Sequence, residues 1–232
     1  MHRSHQQDRL PAFVTFLIMS IIMNVPETNI VMKAIEKSQV NFLYNENVDF
    51  SKDKKLALAV NLLGLLLFPL FYIALFYLLK ILSASPSDDL LYYWKSFSKA
   101  PLTSSVIFLI SLLLLLVIHE FIHAILFYLF TGEKPVYGFK GVYGYAGSPN
   151  WYLRKDYYLI VGLSPFVIIS VSGIIILLLI PAEYSPIIVL LLTTHAAGCI
   201  GDLWVSIKLI SRPEETYIND SGISLVISQN KK

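Results

Sequence analysis

Long apolar stretches dominate the pattern of hydrophobic and polar positions along this chain. Four of them are long enough to cross a bilayer as a helix, which takes ~20 residues, and they run over about 56–82, 104–130, 157–180 and 186–210. The short segment 181–185 predicts a tight turn, so the third and fourth helices should lie antiparallel and adjacent. Ser164-Pro165 predicts a kink in the third helix. The pattern therefore predicts an all-α polytopic membrane protein with about four transmembrane helices.

A fifth apolar stretch, 10–25, is too short to count as a span. Its length is typical of an interfacial helix or of the apolar part of a signal peptide. Arg3 and Arg9 precede it, but no small-residue cleavage site follows. Met32 leaves open that the functional chain begins there. The predicted parts of the chain are an N-terminal segment (1–47), a transmembrane domain (48–225) and a C-terminal tail (226–232).

Composition supports a membrane protein and excludes other classes. Hydrophobic residues make up 56% of the chain and charged residues 15%, whereas soluble domains carry about 25% charged residues. The net charge of +2 is too small to indicate nucleic-acid binding. The single cysteine, Cys199, excludes an internal disulfide. Membrane lipid is therefore the first expected partner.

The lysines and arginines fall mainly on one side of the four predicted spans. By the positive-inside rule that side is cytoplasmic, and both termini lie on it. The cytoplasmic residues are Lys52, Lys54, Lys55, Lys134, Lys140, Arg154, Lys155, Arg212, Lys231 and Lys232, and the opposite side holds Lys95 and Lys99.

The second span carries the sequence His119-Glu120-Phe121-Ile122-His123. On a helix, H-E-x-x-H places two imidazoles on one face at the spacing that binds a zinc ion, with the glutamate beside the metal-bound water. An ionisable side chain in the middle of a membrane helix costs on the order of 2.5–3.5 kcal/mol. Three within five residues therefore indicate a function.

The fourth span contains the remaining intramembrane ionisable residues, His195 and Asp202. His119 and Asp202 each lie about 22–24 Å from the extracytoplasmic end of their helices at a rise of ~1.5 Å per residue. This match in depth predicts that Asp202 faces the histidine pair and supplies a third ligand. The rival ligands Glu214 and Glu215 lie beyond the helix end.

His195 lies two helical turns before Asp202 and should share its face. We consider two roles for it, a ligand or transition-state contact and a structural hydrogen-bond partner. Gly198 and Gly201 lie close to that face. Small residues allow close helix approach in membranes, and here they would bring Asp202 within reach of the second span. The other interpretation of these glycines is generic helix packing.

Taken together, these residues resemble the site-2-protease type of intramembrane metalloprotease. The chain is more closely similar, over about residues 48–225, to a bacterial family of uncharacterised membrane proteins of the zincin peptidase type. The resemblance is carried by the H-E-F-I-H motif, a Gly-Phe-Lys loop rich in tyrosine and glycine, Leu-Ser-Pro-Phe166 and Gly201-Asp202-Leu203. Site-2 proteases commonly have Asp-Gly at the third ligand and often an inserted PDZ-like domain, and this chain has neither.

The resemblance implies a Zn²⁺ site formed by His119, His123 and Asp202, with Glu120 as the catalytic base. Its position in the fourth span makes His195 a weaker catalytic candidate. It also implies a bacterial cytoplasmic membrane location. We therefore expect peptide hydrolysis near the cytoplasmic side, on transmembrane or juxtamembrane protein substrates. The alternative is a non-enzymatic membrane protein with a structural metal site or a partner-binding role, and a third interpretation is an ion or proton pathway.

Two segments outside the spans have open interpretations. In the loop 131–156, strand alternation would place Tyr137, Phe139, Gly141, Tyr143 and Tyr145 on one face. The loop is either a hairpin that approaches the metal or an aromatic belt at the membrane surface. The segment 217–227 predicts a turn followed by a short strand, with Asp220 as a turn residue.

Overall fold

The structure is a computed structural model that describes residues 34–82, 84–140 and 143–229. All of these residues belong to one compact unit of the chain. The apolar stretch 10–25 and the alternative start at Met32 lie outside the described residues.

The described part is mostly helical, and its long helices coincide with the predicted spans to within a few residues. The helices are α1 (Lys54–Ile81), α2 (Tyr92–Phe97), α3 (Pro101–Thr131), α4 (Lys155–Leu179), α5 (Ser185–Gly198) and α6 (Ile200–Ile210). Three of them, α1, α3 and α4, are long and apolar enough to cross a membrane. The pair α5 and α6 would be a fourth span if the two count as one.

Local sequence explains where these helices begin and end. The carboxylate of Asp53 accepts a hydrogen bond from the amide of Leu56 at 3.0 Å and so caps the start of α1. Pro101 occupies the first turn of α3, where its missing N–H is not needed. Gly132 ends α3 in the left-handed conformation, with φ at 73°, which glycine adopts at no steric cost.

Most apolar side chains of α3 point outward. None of the residues in its most apolar 18-residue window is buried within the protein. An outward apolar surface of this length would be costly in water and is favourable against lipid tails. The packing of α3 is therefore compatible with a membrane protein.

The break in the fourth predicted span falls at Cys199. The helix pair meets there at an angle of 43°, so α5 and α6 are two segments and not one straight helix. The hydroxyls of Thr193 and Thr194 each donate to the carbonyl four residues earlier within α5, at 2.8 Å. Pro165 lies inside α4, which runs as one helix from Lys155 to Leu179, and the predicted kink there stays a prediction.

The prediction of an all-α fold is wrong, because the protein contains a substantial β-sheet. Its five strands are antiparallel neighbours in the order β1-β5-β6-β7-β2. They are β1 (Ala34–Glu36), β2 (Tyr44–Val48), β5 (Trp151–Arg154), β6 (Thr216–Asp220) and β7 (Leu225–Gln229). A separate hairpin is formed by β3 (Val136–Lys140) and β4 (Tyr143–Gly147), as the sequence predicted between the second and third spans.

The sheet brings together β1 and β2 from the beginning of the described residues, β5 from the middle, and β6 and β7 from the end. Strand β2 lies in the predicted N-terminal segment and pairs over its whole length with β7, which extends into the predicted tail. Glu46 on β2 binds two cations at the end of α6, Lys208 at 2.5 Å and Arg212 at 2.6 Å. Hydrogen bonding to Lys208 holds the pKa of Glu46 below its usual range. The sheet is thereby fastened to the helix that carries Asp202.

Candidate metal centre

Helix α3 presents the two motif histidines toward the interior of the protein. Their Nε2 atoms lie 3.2 Å apart, as expected for positions one turn apart on one helix face. His123 is 8% exposed, and the side chain of His119 is 12% exposed. Two ring nitrogens therefore converge in a nearly enclosed location.

Asp202 comes from the first turn of α6 and faces this pair. One of its oxygens, Oδ2, lies 3.3 Å from Nε2 of His119 and 3.8 Å from Nε2 of His123. The side chain of Asp202 is 32% exposed, more open than either histidine. The predicted convergence of Asp202 with the histidine pair is therefore observed.

The three donor atoms fit a zinc ion. Ligands about 2.0–2.2 Å from a tetrahedral metal are separated from one another by about 3.3–3.6 Å, and the three separations here are 3.2, 3.3 and 3.8 Å. Two imidazoles and one carboxylate form a donor set that zinc accepts, and three protein ligands leave a fourth position for water. The fit depends only on small adjustments of side chains already in place.

Hydrogen bonds behind the histidines fix their orientation. Nδ1 of His123 lies 3.0 Å from the carbonyl oxygen of Val161 on α4, which can only accept, so Nδ1 carries the proton. The Nε2 atom of a neutral His123 is then left with its lone pair toward Asp202. Such a partner behind a metal-binding histidine fixes both its tautomer and its ring orientation.

His119 is held in a similar way by His195. Its Nδ1 lies 3.2 Å from Nε2 of His195. His195 is 7% exposed and Cys199, beside both rings, is 1% exposed. His195 thus lies behind His119, on the side away from Asp202, and this position favours the structural role over a transition-state contact.

Two groups of residues in the described part of the chain could each surround a metal ion. One is His119, His123 and Asp202, and the other is His119, His195 and Cys199. The first group uses Nε2 of His119, and the second uses Nδ1. Glu214 and Glu215, the rival ligands considered from sequence, belong to neither group. The first group faces a cavity, whereas His195 and Cys199 of the second do not line it, so the first is accessible from the cavity.

The prediction that Gly198 and Gly201 allow close helix approach is wrong. A Cβ atom built at either position has no neighbour within 4 Å, and both residues line the cavity. The close approach occurs instead at Gly64 of α1, where a Cβ atom would lie 2.6 Å from the carbonyl oxygen of Ala197. The two glycines of α5 and α6 leave open space beside Asp202.

We call His119, His123 and Asp202 the metal-binding group. The cavity in front of it has a volume of about 790 Å³. His119, Glu120, His123 and Asp202 all line it. The rest of its wall comes from the start of α1, α4, the tip of the β6–β7 hairpin and strand β4. A space of this size accommodates a short extended peptide segment.

Sequence reasoning missed three polar residues of this wall. Asn61 is a single amide within the apolar run of α1, a signal that a search for ionisable residues passes over. Tyr158 on α4 and Asp220 at the end of β6 form a hydrogen bond of 2.6 Å and both line the cavity. Asp220 also caps its turn, as predicted, because it accepts from the amide of Gly222 at 2.7 Å. Burial raises the pKa of Asp220.

The hairpin approaches the cavity with one tyrosine and exposes another. Tyr145 pairs with Gly138, and Tyr137 pairs with Ala146, so the two tyrosines lie on opposite faces. The predicted single aromatic face is wrong in this respect, because the strand reverses direction between 140 and 143. Tyr145 lines the cavity, whereas Tyr137 is 69% exposed.

Residues 112–217 match a family model described as "Putative zincin peptidase". The match covers less than half of the chain and includes both histidines, Glu120 and Asp202. It supports a relationship to zincin peptidases, a class of metallopeptidase, and thereby suggests zinc. No curated protein and no solved structure matches the chain.

Proposed function

We propose that this protein is an intramembrane zinc metallopeptidase, similar in type to site-2 proteases. In this proposal His119, His123 and Asp202 hold the ion, and the substrates are transmembrane or juxtamembrane segments of other proteins. The observation that carries the proposal is the convergence of three donor atoms, from two helices, at the wall of one large cavity. The match to zincin peptidases supports the same reaction class.

Zinc held by these ligands would polarise the scissile carbonyl and make its bound water acidic. Glu120 follows His119 directly in the motif and faces the same cavity. Its carboxylate accepts the proton of the attacking water and returns it to the departing amine. Val161 and His195 keep the two imidazoles oriented throughout, because their hydrogen bonds lie on the side away from the cavity.

The proposed cleavage takes place near the cytoplasmic side. The strands that help to enclose the cavity are attached to the start of α1, the end of α3, the start of α4 and the end of α6. These are the helix ends that carry the excess of lysine and arginine, which is typical of the cytoplasmic side. Water and substrate would therefore enter from the cytosol, and both termini would lie there.

The test separates metal binding from hydrolysis. Protein purified in detergent is assayed for zinc by elemental analysis and for cleavage of fluorescein-labelled casein. We expect Glu120→Gln to retain zinc and lose cleavage, and His123→Ala to lose both. Glu214→Gln, the same chemical change at an exposed site, should retain both. Wild-type protein that holds zinc but cleaves nothing, with Glu120→Gln silent in cells, would support a non-enzymatic metal-site protein instead.

A further inference from the structure

The hydrogen-bonded pair Tyr158–Asp220 is a buried polar feature of the cavity wall that the hydrolytic scheme does not use. The phenol oxygen lies 2.6 Å from Oδ2 of Asp220. The other carboxylate oxygen, Oδ1, accepts from the amide of Gly222. Both side chains line the cavity that contains the metal-binding group.

The pair lies close to the metal-binding group along two helices. Val161, whose carbonyl oxygen contacts His123, is three residues after Tyr158 on α4, about 4.5 Å along the helix axis. The ring of Tyr158 is 6.5 Å from that of Phe127, which is one turn after His123 on α3. An extended peptide advances about 3.3 Å per residue, so a chain bound at the metal would pass Tyr158 within one or two residues.

The chemistry of the pair determines what it can bind. The hydroxyl proton of Tyr158 is committed to Asp220, so the phenol oxygen has only lone pairs left for another partner. A carboxylate has about four acceptor positions, and two of those on Asp220 are occupied by Tyr158 and Gly222. The pair therefore has acceptor capacity toward the cavity and no remaining donor.

The turn beside the pair is tightly packed. Gly222 has φ at +81°, and a Cβ atom there would lie 2.3 Å from the ring of Tyr145. The hairpin holds the turn from the other side, since the amide of Ser148 donates to the backbone carbonyl of Asp220 at 2.7 Å. Asp220 is thus fixed in position by groups on three elements.

From this geometry we infer that Tyr158 and Asp220 form a substrate subsite that accepts a hydrogen bond from an N–H group next to the scissile bond. The inference rests on the proposed function and names a recognition element of the same site. The N–H group belongs either to a main-chain amide of an extended substrate or to the free amino terminus of a short one. Both sources present the same donor, and the test distinguishes them.

The test uses the binding of peptide hydroxamates, which bind zinc directly, and needs no turnover. Three versions of one dipeptide hydroxamate are titrated into zinc-loaded protein: the parent, a form methylated on its main-chain amide nitrogen, and a form acetylated at its amino terminus. We expect wild-type protein to bind one modified form about tenfold more weakly than the parent, the effect of a lost hydrogen bond to a charged pair. Sensitivity to methylation, which removes the N–H, identifies a main-chain amide, and sensitivity to acetylation, which leaves one N–H but removes the positive charge, identifies a charged amino group.

Tyr158→Phe should remove most of this discrimination, to less than about threefold, while zinc content stays unchanged. A purely steric effect of the added methyl or acetyl group would weaken binding equally in wild type and in Tyr158→Phe. The ratio between the affinities for the parent and the modified hydroxamate would then be the same in both. Tyr157→Phe is the matched control, because Tyr157 is equally buried on α4 but packs against Phe130. If Tyr158→Phe does not fold, Asp220→Asn tests the same pair and should reduce the discrimination.

Equal binding of all three hydroxamates by the wild type, or full discrimination retained in Tyr158→Phe, would overturn the subsite. Failure of the zinc-loaded wild type to bind any hydroxamate would instead contradict the proposed function, and the subsite with it. The two failures are therefore distinct.

Discussion

Replacement of His195 tests whether this residue acts on the metal through His119 or binds it directly. Nε2 of His195 lies 3.2 Å from Nδ1 of His119, and it accepts the proton that Nδ1 carries when Nε2 faces the metal. His195→Ala removes this acceptor and leaves a buried N–H group without its partner. Loss of such a partner typically weakens metal binding about 10–100-fold, which corresponds to about 1.4–2.8 kcal/mol.

The assay is zinc affinity, measured in detergent by competition with a chromophoric chelator. We expect His195→Ala to raise the zinc dissociation constant by that factor, and His195→Gln, whose amide oxygen can accept, to raise it less. His123→Ala should abolish measurable binding. Thr194→Val is the matched control on the same helix turn, because the hydroxyl of Thr194 bonds to the carbonyl of Leu190 and not to the site.

Two results would refute this reasoning. An unchanged dissociation constant in His195→Ala would mean that the contact with His119 has no effect on the metal. A loss as complete as that of His123→Ala would make His195 a direct ligand and would favour the group formed with Cys199. Thermal stability of the metal-free variants distinguishes either result from simple unfolding.

Further predictions concern packing, pH and orientation. Gly64→Ala should destabilise the protein by about 1–3 kcal/mol, because its Cβ atom would meet a backbone carbonyl at 2.6 Å. Gly201→Ala should leave stability unchanged and should lower casein cleavage, because its side chain would occupy part of the cavity. Equal effects of the two variants on thermal stability would contradict this prediction. The pKa of Glu46 is lowered, so its ion pairs stabilise the folded state above its ordinary pKa of 4.5 and lose that effect as the pH falls further. The difference in stability between wild type and Glu46→Gln should therefore be constant above about pH 4.5 and shrink below it. A difference that does not change with pH would refute this prediction. In a cysteine-free background on intact cells, an impermeant thiol reagent should label a cysteine at the exposed Tyr184 and not one at the exposed Tyr137; the reverse pattern would invert the proposed orientation.

The convergence of His119, His123 and Asp202 could be predicted from sequence because its determinants are local and periodic. The spacing of His119 and His123 fixes their shared face, and the depth of Asp202 follows from counting residues along a helix of known rise. Neither step requires knowledge of how the helices pack. The break at Cys199 changed the path of the fourth span without disturbing this match, since Asp202 lies in the first turn after it.

Apart from the short strand predicted after the turn at Asp220, which is β7, the sheet could not be predicted in the same way, because its pairings are long-range. β2 is a polar five-residue segment, Tyr44–Val48, whose partner β7 lies far along the chain. Neither strand has a strong alternating pattern, and β5 passes directly into α4 at Lys155. The role of Asp220 in the cavity was missed for the same reason, since only the sheet brings it to Tyr158.

The arrangement of the site is compatible with a membrane protein. An ionisable side chain facing hydrocarbon costs several kcal/mol, and His119, Glu120 and Asp202 all lie in the wall of one cavity. The β6–β7 turn and the hairpin add Asp220 and Tyr145 to that wall. The helices therefore supply the residues that could hold a metal ion, while these strands supply part of the wall that a substrate in the cavity would contact. Changes in α3 and α6 should accordingly alter metal content, whereas changes in the β6–β7 turn should alter which peptides bind.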